Sequence, residues 1–96
     1  MEPLTQIEGF SVMEYGFFPH PVLPIGYIPP TEDKPPLESV QNLAICTAKG
    51  IDGYYLLFCT PHWRYVTYSF DERVEDSKRR PSEEFGLDVA EWHKLA

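Results

Sequence analysis

Cys59-Thr60-Pro61-His62 sets a thiol and an imidazole three residues apart around a proline. A Cys–His pair acts as a nucleophile when the thiol pKa is lowered and an oxyanion donor stands nearby. No second element of such a site can be read along the chain. An apolar strand ending in Cys59 would raise the thiol's pKa instead. Strand-end packing for Cys59 and an exposed turn for His62 is therefore the expectation. Cys46, Cys59 and His62, completed by His20 or His93, would also supply four zinc ligands. Structural zinc sites announce themselves through close pairs such as Cys-x-x-Cys, and there is none. No catalytic residue, metal or cofactor is expected.

Lys78-Arg79-Arg80 is the only basic run, and Glu75, Asp76, Glu83 and Glu84 surround it. Helix-spaced ion pairs such as Arg79–Glu83 account for it, each at a few tenths of a kcal/mol. Tyr54, Phe58 and Tyr65 on one sheet resemble a base-stacking platform. They lack interleaved cations, with Arg64 alone nearby. The glutamates recur at helix-surface spacing and read as a solvated face rather than paired acid–base groups.

Eight Lys plus Arg against fifteen Asp plus Glu give a formal charge of −7. That charge repels phosphate backbones and anionic lipid, and permits a basic protein partner. No stretch approaches the roughly 18 apolar residues of a membrane span. Met1-Glu2-Pro3 does not open a secretory signal, and two cysteines suit a reducing compartment. The expected location is cytoplasmic. Ninety-six residues make one domain. A chain of this size buries only roughly 60–70% of its unfolded surface, so a partner chain would help it.

Leu43 to Phe70 is the only long run dense in β-branched and aromatic residues, and it must form the sheet. Asp52-Gly53 and Pro61-His62 divide it into three antiparallel strands. A two-residue turn at Asp52-Gly53 would set Cys46 opposite Cys59. A longer loop through Lys49-Gly50 would shift the register and separate them. Thr60-Pro61-His62-Trp63 reads as a type I turn. Val66 is then expected opposite Leu57, with Tyr55, Leu57, Cys59, Val66, Tyr68 and Phe70 on one face. Tyr54, Leu56, Phe58, Tyr65 and Thr67 fall on the other. Both faces are apolar and need cover.

Eight of the ten prolines precede Leu37, so residues 1–38 read as a Pro-rich N-terminal arm. It holds one short strand near Phe10–Phe18, broken at Met13 or Gly16. Val22, Leu23, Ile25, Tyr27 and Ile28 form an apolar stretch that lies over the chain's own sheet or is exchanged between subunits. Thr31 to Pro36 is a linker. Residues 39–96 form the β-meander plus helix domain. Asp71 is placed to cap a helix through Arg80, kinked or broken at Pro81, with Gly86 as its left-handed end. Asp88 and Glu91 fit a capping box for a last turn carrying Val89, Trp92 and Leu95. The fold class is α+β: a three- to four-stranded antiparallel sheet, one kinked or broken C-terminal helix and the extended arm.

Trp63, Thr67, Ser69-Phe70, Val74-Glu-Asp-Ser-Lys78, Glu84-Phe85-Gly86 and Trp92 occur in an order that resembles a group of small uncharacterised bacterial proteins. The resemblance covers roughly residues 42–93 and departs at Arg80-Pro81-Ser82, where that group carries helix formers. It implies a hairpin or meander followed by a helix, with no established activity.

The surplus of apolar surface in an acidic chain points to a non-enzymatic protein–protein interaction module. A homodimer is the simplest form, and a basic protein partner is the other. Phe17, Phe18, Tyr54, Phe58 and Tyr65 are the candidate contact residues. The alternative is a metal- or small-molecule-binding protein using Cys46, Cys59, His62 and the aromatic face.

Overall fold

The computed structural model describes residues 5–25 and 38–95. Its order is β1 (Gln6–Ile7), β2 (Phe10–Val22), β3 (Val40–Thr47), β4 (Tyr54–Cys59), β5 (Tyr65–Asp71), α1 (Val74–Phe85) and β6 (His93–Lys94). The strands form one six-stranded antiparallel sheet with spatial order β1-β2-β3-β4-β5, and β6 pairs with β2 beyond that path. Irregularities between Val12 and Glu14, between Phe17 and Val22, and between Phe58 and Cys59 break the ladders. Such bulges increase twist and curl a sheet toward a half-barrel.

The expected sheet of three or four strands is thus too small. Residues 6–22 are not an extended arm: they contribute β1 and the 13-residue β2. Of the two positions expected for a break, Met13 is the first of β2's bulges, whereas Gly16 pairs in register with Leu43. Pro19 and Pro21 are accommodated because the pairing with β3 lapses between Phe17 and Val22. Tyr27, Ile28 and the Thr31–Pro36 linker lie outside the described residues.

Glu8 and Gly9 join β1 to β2 with φ of 50° and 83°. Two positive φ values in a two-residue hairpin define a type I′ turn. Of the two connections open for β3 and β4, the structure has the longer loop through Lys49-Gly50 and not a two-residue turn at Asp52-Gly53. Ile51 N–H donates to Ala48 C=O at 3.2 Å, and Gly50 sits at φ 80°, the third position of a type II turn. The loop sets Cys46 opposite Tyr55 and Cys59 opposite Asn42. The direct Cys46–Cys59 pair is therefore absent, and both thiols are free.

The Pro61 turn forms as expected, with Trp63 N–H donating to Thr60 C=O at 2.9 Å. Val66 does not face Leu57; Tyr68 does. The bulge after Phe58 also moves Tyr65 onto the face of Cys59 and Val66 onto the opposite face.

β3 is the central strand, and Leu43, Ala44, Ile45 and Cys46 have no exposed surface. Both faces of the sheet are covered within one chain. On one, Phe18, Val40, Leu43, Ile45, Leu56 and Phe58 pack under the helix residue Phe85. The Phe85 ring lies 5.4 Å from Phe18 and 4.9 Å from Phe58. Burying each such side chain stabilises the fold by about 1.5–3 kcal/mol. On the other face, Ile7, Val12, Ala44, Cys46, Leu57 and Cys59 pack beneath Phe10, Tyr55, Trp63, Tyr65 and Leu95.

The N-cap of the helix is Arg73, which makes no side-chain cap, and not Asp71. It runs without a break through Pro81. An interior proline costs about 3 kcal/mol. Burial of the Pro81 ring and anchoring of Phe85 one turn later offset that cost. Gly86 ends the helix at φ 72°, its N–H bound to Ser82 C=O. No final helical turn follows. His93–Lys94 pairs with Tyr15 and Glu14, with Val89 and Trp92 against the helix-side core and Leu95 against the other. No helix among the described residues is long and apolar enough to cross a membrane.

Candidate functional site: an open sheet edge

The two edges of the sheet are built differently. Along the outer side of β2, β1 covers Phe10–Ser11 and β6 covers Glu14–Tyr15. Farther on, Pro19 and Pro21 carry no amide donor. β5 is the opposite edge, and among the described residues no strand pairs with its outer side. Tyr65-Val66-Thr67-Tyr68-Ser69-Phe70 contains no charge and no proline. Natural edge strands are usually blunted by one or the other, because an unpaired row of amides and carbonyls templates another strand.

Tyr68 is 52% exposed at the middle of this edge. Its ring lies 5.7 Å from Tyr55 and 6.5 Å from Tyr65. Tyr55 in turn meets Phe70 at 4.9 Å and Phe10 at 4.7 Å. The result is an aromatic stripe along one face, ending at the open edge. Arg64 precedes the strand and Asp71-Glu72 closes it. Arg64 binds Glu38 at 2.6 Å while 70% of its side chain stays exposed.

The five residues singled out from the sequence fall into two groups. Phe18 and Phe58 are buried to 1% and belong to this chain's core. Phe17, Tyr54 and Tyr65 are half-buried, and Tyr65 lies on the open edge. The other residues of this edge, Tyr68, Phe70, Arg64 and Glu72, were not among the five. The signal for them was the uncharged run 65–70, placed last in a meander and followed by a helix, which makes it an edge by topology.

The thiol chemistry has no support in the geometry. Cys46 and Cys59 have no exposed surface. Burial pushes both thiols up to about 12, opposite to what a nucleophile or zinc ligand needs. His62 is exposed on its turn, where Thr60 Oγ1 accepts its backbone N–H at 3.2 Å and that of Arg64 at 3.1 Å. His20 is exposed on β2. His93 instead stacks on Tyr15 at 5.2 Å, in a cluster that includes Phe17 and Trp63. No group of three His, Cys, Asp or Glu among the described residues is placed to hold a metal.

No family model, curated protein or solved structure matches this chain.

A cleft of about 280 Å³ is lined by Asp71, Asp76, Arg79, Arg80 and Glu83. Arg80 grips Asp71 with Nε and Nη2 at 2.8–3.2 Å. Arg79 pairs with Asp76, not with the expected Glu83, which Arg80 approaches at 3.9 Å. Both arginines in this lining are paired with carboxylates, so the cleft offers no unpaired cation to an anionic ligand.

Proposed function

We propose that this chain is a small, non-enzymatic protein–protein interaction module that self-associates by adding a strand at β5. The observation that carries the reading is the uncharged, proline-free edge Tyr65–Phe70, with Tyr68 half exposed at its centre. Strand addition supplies affinity through main-chain hydrogen bonds, and side chains on alternate positions supply selectivity. The apolar area needing cover is narrower than the sequence suggests, because both broad faces are filled in cis. The surface assigned to a partner is the edge and the aromatic stripe beside it. Two free, buried thiols suit a reducing compartment, and the cytoplasm is the proposed location.

A lysine at position 68 would place a desolvated cation on the edge and block strand addition. The Tyr68→Lys variant is expected to sediment as a monomer, with an unchanged circular dichroism spectrum, where the unmodified chain does not. Equal association of the two proteins would rule out the β5 edge.

A further inference from the structure

We propose that the strand added at β5 is the β5 of a second copy, running antiparallel about a two-fold axis near Tyr68. This rests on the reading of the chain as a self-associating module and adds the partner's identity, direction and register.

Charges of opposite sign bound the edge at its two ends. Arg64 stands immediately before β5, and Asp71-Glu72 stands at its other end. Between them lie six residues without charge. An antiparallel pair centred on Tyr68 brings Arg64 of each strand to the Asp71-Glu72 end of the other. The two charged ends lie on opposite sides of the centre, and the bulge near Val66 shifts the pairing by no more than one residue. The complementary contact then occurs twice. A parallel pair would set Arg64 against Arg64 and Glu72 against Glu72, and like charges directly opposite destabilise a sheet.

The complementarity matters because each chain carries a net charge of −7, which opposes association of two copies. Arg64 is the cation that immediately precedes the edge, and most of its side chain faces water despite the contact with Glu38. Glu72 is exposed. Asp71 is already committed to Arg80, so Glu72 is the carboxylate available to the incoming arginine. The two-fold also sets Tyr68 beside its own counterpart, extending the Tyr55–Tyr68–Tyr65 stripe from one copy into the next. The interface is isologous, so it closes at two chains instead of propagating as a filament.

Charge reversal tests the arrangement, read by analytical ultracentrifugation with thermal melts to confirm folding. Arg64→Glu alone and Glu72→Arg alone each set like charges together and should weaken the dimer about tenfold or more. The double variant R64E/E72R restores both complementary contacts and should recover dimerisation to within a few-fold of the unmodified chain. A dimer equally indifferent to all three variants would overturn this register and leave self-association standing. A monomer for the unmodified chain would overturn both readings.

Discussion

Lys78 Nζ lies 3.0 Å from Glu14 Oε1, joining the middle of α1 to strand β2. The Glu14 side chain is only 11% exposed and that of Lys78 34%. Lys78 also sits 5.8 Å from the centre of the Trp92 ring. One cation thus ties together a strand, the helix and the C-terminal segment. Removing it leaves a nearly buried carboxylate without a partner. A fully buried pair broken this way costs about 3–5 kcal/mol. Because Lys78 is partly solvated, Lys78→Met should cost about 2 kcal/mol in urea denaturation. The double variant E14Q/K78M should lose less than K78M alone, and a larger loss would contradict a pairing role.

Gly16 is where the C-terminal segment crosses β2. A methyl group there would meet Val89 Cγ1 at 2.4 Å and Glu91 C=O at 3.2 Å. Trp92 Cε3 would lie at 3.3 Å. Gly16→Ala should therefore push residues 89–92 off the sheet and cost about 1–3 kcal/mol. Tryptophan emission should shift to the red as Trp92 gains water. Unchanged emission would show that the segment is not seated on Gly16.

These two contacts mark what the sequence could and could not disclose. The hydrophobic density of 43–70, the turn at Pro61 and the left-handed end at Gly86 were legible because each rests on local chemistry. The sheet's size was not. Prolines 19 and 21 argued against a strand locally, while bulges and a gap in the β2–β3 ladder accommodated them non-locally. Asp88-x-x-Glu91 read as a helix start, yet packing of Val89 and Trp92 drew that segment across β2. The sequence leaves the hairpin register open between a two-residue turn and a loop through Lys49-Gly50. Positive φ at Gly50 as well as Gly53 decides for the longer loop, which separates Cys46 from Cys59. Of the candidate contact residues, Phe18 and Phe58 carried an apolar signal that cannot distinguish core from surface.

Ser77 is fully buried in α1, and its hydroxyl has no hydrogen-bond partner among the described residues. Alanine removes a desolvated polar group and has the higher helix propensity. Ser77→Ala should raise stability by about 1 kcal/mol in chemical denaturation. A loss of stability would mean that the hydroxyl is satisfied in solution.

The buried thiols predict a pH dependence. In the unfolded chain each ionises near 9, and in the folded chain near 12. The unfolded state therefore loses protons first as the pH rises, and stability falls. The slope is about 1.4 kcal/mol per pH unit for each thiol across that window, with no effect below it. Comparing the chain with its C46A/C59A variant isolates the contribution, since only the variant should show the shallower alkaline slope. Thiol reagents at neutral pH should react only after unfolding.

In this acidic chain both sheet faces are filled and β5 alone, among the described residues, is left as an open edge, the place proposed for a second copy. Light scattering coupled to size exclusion, on the unmodified chain at tens of micromolar, reads that pairing most directly. The expected mass is twice the 11.1 kDa of one chain. A mass of 11.1 kDa, held across that concentration range, would contradict it.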